Sequence, residues 1–391
     1  SMDSLILLSR EEFEKRLLRL TALMQQKSID AAIISDFANQ YYLTGRVFSG
    51  HIYIPSKGLP VFFVKRPVKL EGDGVVYIRK PEEMAETIGL ATPATLALEL
   101  DSASYSSVKR IAAIFPQAEI ANASALMRTL RAVKTEAEQQ LIRVSGIKQE
   151  HVYRLIPHLY QTGMSDLELQ VEIERRSRLE GCLGQFRISG DTMELYMGNV
   201  LTGDNADSPT PYDFAMGGRG LNPSLPVGCD GSIIEPGHSV MVDMNGDYTG
   251  YMTDMTRTFR VGSLEPLAVK AHQCSIDIVH ALAQRARPGV EAKELYHLAE
   301  TMAVEAGLKE YFMGHRQKAG FVGHGLGIEI NELPVIAPRS RDIIADGNVI
   351  AFEPKFVIPG VGAVGIENTY IIHADSAECV TSAPEELIDL Q

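Results

Sequence analysis

Residues 240–259 read VMVDMNGDYTGYMTDMTRTF. Asp243 and Asp254 interrupt two apolar, β-prone runs. A buried charge without a partner is very costly, so a carboxylate in such a place needs one. Gly246 and Gly250 flank the middle of the stretch. A hairpin folded between Tyr248 and Thr249 places Asp243 directly opposite Asp254. Opposed side chains on paired strands lie about 5 Å apart. Two carboxylates that close repel until one takes up a proton or a cation sits between them.

Residues 348–372, NVIAFEPKFVIPGVGAVGIENTYII, repeat the design. Glu353 and Glu367 each sit in an apolar run, and the fold point midway between them is Gly360, in Pro359-Gly360-Val361-Gly362. A fifth candidate is His324 in GHGLGIEI, where glycines on both sides leave the imidazole accessible. That segment superficially matches a phosphate-binding glycine loop but lacks the helix pattern that should follow. Four carboxylates and one imidazole form a hard, oxygen-rich donor set. It suits two divalent ions, Mn²⁺ first and otherwise Co²⁺, Fe²⁺ or Zn²⁺, better than a structural zinc. Two such ions about 3.5–4 Å apart hold a hydroxide and clamp a substrate oxygen, which is metal-assisted hydrolysis.

The rest of the chain narrows the class. With 391 residues there is room for two domains and a sizeable core. The net charge of −13 argues against a nucleic-acid or acidic-membrane partner, since both want a basic face. Cys182, Cys229, Cys274 and Cys379 are scattered with no C-x-x-C pair, so they read as free thiols in a reducing compartment. No apolar run reaches the roughly 18 residues of a membrane span. The N-terminus lacks a basic region followed by an apolar core, so no signal peptide is expected and the expected location is cytoplasmic.

Ser9 and Glu12 form a capping-box pattern that opens a helix carrying Phe13, Leu17, Leu20 and Met24. Strand-like runs follow at 31–35, 61–64, 75–78 and 96–100, so the first part reads as a small α/β domain. Thr135/Glu138 and Ser165/Glu168 open two more helices, to about Ile156 and Gly181. Residues 188–231, rich in Gly, Asp, Asn and Pro, read as loop throughout. Helices are expected at 265–286 and 291–306. The domain boundary falls at 128–134, giving domains 1–130 and 131–391.

At this point the motifs resemble a known family, the creatinase/aminopeptidase (M24) family with the pita-bread fold. IDAAIISDFANQYYLTG looks like the accessory domain of its Xaa-Pro dipeptidase and aminopeptidase P branch. DMNGDYTGYMTDMTRTF, GHGLGIEINELP, AFEPKF and GIENTY look like its metal-ligand motifs, in the family's order. The resemblance implies a small N-terminal creatinase-like α/β domain and a C-terminal pita-bread α+β catalytic domain. It makes Asp243, Asp254, His324, Glu353 and Glu367 ligands of two metal ions, with Asp254 and Glu367 bridging and Glu353 as general base. It implies hydrolysis of small peptides at an Xaa-Pro bond by a metal-bound hydroxide, and a homodimer.

The chain also departs from that pattern. Val227 stands where the family peptidases carry a histidine before the first aspartate, Asn331 replaces a second histidine and Gly320 a third. His315 is the nearby imidazole that a rearranged loop would have to supply. Gly365 and Asn368 stand where the branch usually has Arg and Asp. Val227 and Asn331 therefore mark the altered substrate side of the site, where losing one oxyanion donor typically costs about 2.7–4 kcal/mol. Two further readings stay open: a diverged C–N hydrolase or lyase acting on a small non-peptide substrate, and a catalytically impaired binding homologue. Arg257 reads as an ion-pair partner near the acids, and Arg187 and Arg219 as solvated or as contacts for a substrate carboxylate. Tyr41 and Tyr42 read as domain packing.

Overall fold

The computed structural model describes residues 3–89, 91–190 and 193–390. The chain divides into two compact units, Ser1–Arg131 and Ala132–Gln391.

In the first unit, α1 (Arg10–Gln26), α2 (Phe37–Thr44), α3 (Met84–Ile88), α4 (Tyr105–Ala112) and α5 (Ala123–Ala132) accompany a six-stranded sheet. The strands are β1 (Ala31–Ile34), β2 (Ser49–Pro55), β3 (Val61–Arg66), β4 (Val75–Tyr77), β5 (Thr95–Leu98) and β6 (Glu119–Asn122), in the order β4-β3-β2-β1-β5-β6. Ser9 caps α1 by accepting from the Glu12 amide at 3.1 Å. The box is not closed from the other side, because Glu12 turns its carboxylate to the buried Arg16. Tyr42 is fully buried with the Arg16 guanidinium over its ring, and Tyr41 is half-buried.

The second unit opens with α6 (Glu136–Leu159) and α7 (Asp166–Leu179), both closed by reciprocal capping boxes at Thr135/Glu138 and Ser165/Glu168. They pack on a sheet of β7 (Gly198–Thr202), β8 (Ser239–Asp247) and β9 (Met252–Arg260). β7 and the turn Gly203–Asp207 lie inside the 188–231 stretch expected to be loop. Val200-Leu201 is an apolar pair too short to stand out among its turn-forming neighbours, and pairing with β8 makes the segment a strand. The helices α8 (Pro266–Arg285) and α9 (Ala292–Glu305) cover the other half. That half holds β10 (Gly323–Gly325), β11 (Glu332–Ile336), β12 (Val349–Phe352), β13 (Lys355–Ile358), β14 (Gly362–Gly365), β15 (Asn368–Ile372) and β16 (Ala377–Cys379). A short β17 (Ile388–Asp389) joins β9. Cys182, Cys229 and Cys274 are buried free thiols, and Cys379 is a half-buried one. Among the described residues no helix is long and apolar enough to cross a membrane.

His272 on α8 shows how tightly the two halves are joined behind the acids. Its Nδ1 accepts from the Gly365 amide at 3.1 Å, and its Nε2 lies 2.8 Å from the Glu385 carbonyl oxygen. A carbonyl only accepts, so Nε2 carries the hydrogen and the ring is neutral. Burial, first of all, pulls its pKa from 6.5 down to about 4. Between those values the unfolded chain binds a proton that the folded chain refuses. The contribution is complete above the unfolded value and is lost as pH falls, by about 2.5 kcal/mol at pH 4.5. Urea unfolding at pH 7 and 4.5 should therefore show an acid-induced loss smaller by about that amount in His272→Gln than in the wild type. An equal loss in both would refute the assignment.

Candidate metal centre

β8 and β9 pair in a register that sets Asp254 opposite Asn245 and Asp243 opposite Thr256. The two aspartates are thus diagonal neighbours on one face, not directly opposed as the sequence suggested. A fold point between Tyr248 and Thr249 needs a two-residue turn with positive φ at those residues, which tyrosine and threonine resist. The chain forms a four-residue loop instead and puts the positive φ, +88°, on Gly250. The Asp247 side chain holds that loop by accepting from the Gly250 amide at 2.8 Å.

The glutamates follow the expected register. β13 and β14 fold about Gly360, with Lys355 opposite Gly365. β12 and β15 continue the same register, with Phe352 opposite Asn368. Glu353 and Glu367 occupy the gap between the two ladders, facing each other. His324 reaches them from β10, which pairs with β12 at Ala351. Backbone bonds of 3.1 Å in each direction join Thr256 to Glu367, and the Thr369 hydroxyl bonds both the N–H and the C=O of Asp254. The two halves are therefore stitched together at the acids themselves.

The structure brings all five side chains together. His324 Nε2 lies 3.0 Å from Glu353 Oε2, 3.4 Å from Asp254 Oδ2 and 3.6 Å from Glu367 Oε2. The carboxylates cannot all hold charge comfortably in this space. Burial, followed by the other acids, pushes Asp254 up to about 6 and Glu367 well above the usual range. Burial opposes the charged form of His324, but Asp254, Glu353 and Glu367 hold its pKa well above normal. Glu353 goes the other way. Burial alone would raise it, and Lys355 and His324 bring it down to about 2.

Among the described residues two groups have the spacing of a metal site: Asp254–His324–Glu367 and Asp243–Glu353–Glu367. Glu367 belongs to both, Asp254 only to the first. The first fits a divalent cation. Glu367 Oε2 is buried there without a hydrogen-bond partner, a costly state that a cation relieves. The second is already filled. The Lys355 ammonium stands 2.7 Å from Asp243 Oδ2, 2.9 Å from Glu353 Oε1 and 3.8 Å from Glu367 Oε1.

The sequence reading missed Lys355. Alternation along a strand carries the signal, because residues two apart share a face and Lys355 must point where Glu353 points. The residues marking the substrate side do not join the cluster's hydrogen bonds. Asn331 gives its N–H to the Ser189 carbonyl at 2.6 Å and accepts from the Ser189 amide at 3.0 Å. Val227 is buried, and its amide bonds the Leu225 carbonyl. His315 pairs with Asp207 at 2.9 Å, and Arg219 with Asp230. Arg257 is not an ion-pair partner of the acids. It is fully buried and donates to the carbonyls of Thr256, Glu367, Thr381, Ala383 and Pro384 and to Asn368 Oδ1. The buried pair Lys134–Glu332, 2.7 Å apart, anchors the loop after His324, where Glu332 also accepts from the Glu329 amide.

Residues 140–374 match the model of metallopeptidase family M24, and residues 16–133 that of the creatinase/prolidase N-terminal domain. The chain belongs to family M24. This is a family of metal-dependent hydrolases, dinuclear as a rule. Among its M24 relatives, the Xaa-Pro dipeptidase of Pyrococcus furiosus is 28% identical over 96% of this chain and 100% of its own length. The uncharacterized peptidase YqhT of Bacillus subtilis is 26% identical, again over 96% of this chain and 100% of its own. The solved Xaa-Pro dipeptidase from Bacillus anthracis superposes with a TM-score of 0.81 at 24% identity, covering 96% of this chain and 99% of that one. The N-terminal domain of FACT complex subunit SPT16 from chickpea shares the fold at a TM-score of 0.70 and 14% identity, over 96% of this chain and 97% of its own. The M24 fold thus occurs in proteins with very different names, and activity has to be argued from the side chains.

Proposed function

We propose that this protein is a metal-dependent peptidase of the Xaa-Pro dipeptidase type, cleaving small peptides. The observation that carries the reading is the orphaned, fully buried Glu367 Oε2 at the meeting point of Asp254, His324 and Glu353. A folded chain tolerates such an oxygen poorly unless a cation completes it. The full-length likeness to Xaa-Pro dipeptidases supports the choice of substrate class.

In this reading Asp254, His324 and Glu367 hold the cation, which when bound supplies Lewis acidity toward a carbonyl oxygen and lowers the pKa of water. Glu353, whose Oε2 lies 3.0 Å from Nε2 of the cation ligand His324, is the carboxylate placed to take a proton from water beside the cation. Lys355 fixes Glu353 Oε1 and Asp243 in place. Mn²⁺ is the first cation to test, and a homodimer is the assembly the family resemblance suggests.

A second reading has one observation in its favour. The Asn331 amide, at the position of a family histidine, is committed to Ser189. A substrate lacking a peptide carbonyl in that place suits a diverged C–N hydrolase. The experiment that separates the two loads the protein with Mn²⁺, Co²⁺, Fe²⁺ or Zn²⁺ and assays Xaa-Pro dipeptides, Xaa-Pro-Yaa tripeptides and Met-initiated peptides. Metal-dependent cleavage at Xaa-Pro, lost in Asp254→Ala, is the expected result. Tight metal binding with no cleavage of any peptide would move the assignment to the second reading.

A further inference from the structure

Lys355 is the first residue of β13, two positions after Glu353. It is wholly buried, as are residues 347–358 around it. Its ammonium makes hydrogen bonds to Asp243 Oδ2 and Glu353 Oε1 and faces Glu367 Oε1. These three carboxylates are the second group with metal-site spacing. The ammonium nitrogen therefore stands among the oxygens that would hold a second ion.

We propose that Lys355 permanently replaces one of the two metal ions, so that the chain binds a single divalent cation, at Asp254–His324–Glu367. The proposal rests on the peptidase reading only for the identity of that remaining cation site.

The two occupants exclude each other. An oxygen-ligated divalent ion sits about 2.0–2.2 Å from its ligands. An ammonium nitrogen donating to the same oxygens sits about 2.7–2.9 Å away. A metal ion within bonding reach of Asp243, Glu353 and Glu367 would overlap Lys355 Nζ, and the two positive charges would repel at contact distance. The lysine is also held where it is. Swinging it aside would strip a charged ammonium of its carboxylates inside a buried strand, at large cost.

The replacement keeps one property of a metal ion and removes another. A fixed positive charge still neutralises part of the four-carboxylate cluster. It has no exchangeable coordination position, so it cannot take up water or a substrate oxygen as a Lewis acid. The centre thus becomes asymmetric, with a structural cation on the Asp243 side and an exchangeable one on the His324 side.

The full chain, stripped with chelator and titrated with Mn²⁺, tests this through metal content and electron paramagnetic resonance. The expected wild-type result is one tightly bound Mn²⁺ per chain, with the hyperfine sextet of an isolated ion. Lys355→Ala should bind two, with the broadened signal of an exchange-coupled pair. Two coupled ions in the wild type would overturn the proposal, as would no tight binding at all or a folded Lys355→Ala that still binds one. Should the variant not fold, the wild-type spectrum decides alone. Two ions in the wild type would leave the peptidase reading standing, whereas one ion with no Xaa-Pro cleavage would overturn that reading and support the lysine replacement.

Discussion

Glu367→Gln should abolish both the stabilisation by a divalent cation and the peptidase activity proposed for this protein. Glu367 belongs to both ligand groups, and its Oε1 accepts from the Thr256 hydroxyl at 3.0 Å. Glutamine has the same shape, and its carbonyl oxygen keeps that bond. The amide nitrogen then replaces Oε2, the orphaned oxygen, and presents hydrogens to the cation instead of lone pairs. A cation at 100 times its Kd stabilises the wild type by about 2.7 kcal/mol. Thermal unfolding of the variant over the same titration should show almost none of this. A catalytic cation supplies several kcal/mol of transition-state stabilisation, so Xaa-Pro turnover should fall by about a thousandfold or more. A variant whose melting temperature still climbs with Mn²⁺ as the wild type's does would remove Glu367 from the ligand set.

Arg257→Leu should be severely destabilised, with a melting temperature far below that of the wild type or little folded protein recovered. The guanidinium donates to five backbone carbonyls and to Asn368 Oδ1, from a position with 1% exposure. These carbonyls belong to Thr256, Glu367 and the turn 381–384, so one side chain ties β9, the Glu367 corner and the C-terminal segment together. Leucine fills part of the volume and donates nothing. The Thr256 and Glu367 carbonyls keep each other's amides and Asn368 Oδ1 keeps the Thr381 hydroxyl, so the carbonyls of Thr381, Ala383 and Pro384 are the ones stripped of a donor. At about 1–3 kcal/mol each they remove a large share of the roughly 5–15 kcal/mol by which a domain is stable. Arg257→Lys keeps the charge and up to three donors, so it should fold with a lowered melting temperature. Soluble yield and circular dichroism on the two variants decide the matter. An Arg257→Leu protein that melts like the wild type would show that these carbonyls find water or other donors.

The centre was legible in the sequence where carboxylates had no other reason to interrupt apolar strands. Glu353 and Glu367 could be paired in register because Gly360 marks the fold point without ambiguity. Asp243 and Asp254 were placed on the right hairpin but two residues out of register. Tyr248 and Thr249 look like the midpoint only until the φ demands of a two-residue turn are considered. Lys355 went unread because lysine within a strand suggests a solvated edge, and only its spacing from Glu353 says otherwise. The Arg257 cage could not be foreseen from local sequence, since its acceptors lie up to 127 positions away in the chain. β7 hid inside a turn-rich stretch for the same reason, its strand character being supplied by β8.

Gly365 closes β14 with φ +127°, and a β-carbon there would come within 2.8 Å of Ser275 Oγ and 2.9 Å of the Pro354 carbonyl oxygen. Ser275 in turn donates to that carbonyl and accepts from the Ile366 amide at 2.9 Å. The arginine common at this position in the related branch therefore has no backbone to stand on in this chain. Position 365 is thus closed to any side chain while Ser275 stays latched to the Pro354 carbonyl, and a residue larger than glycine there requires residues 275, 354 and 365 to move together.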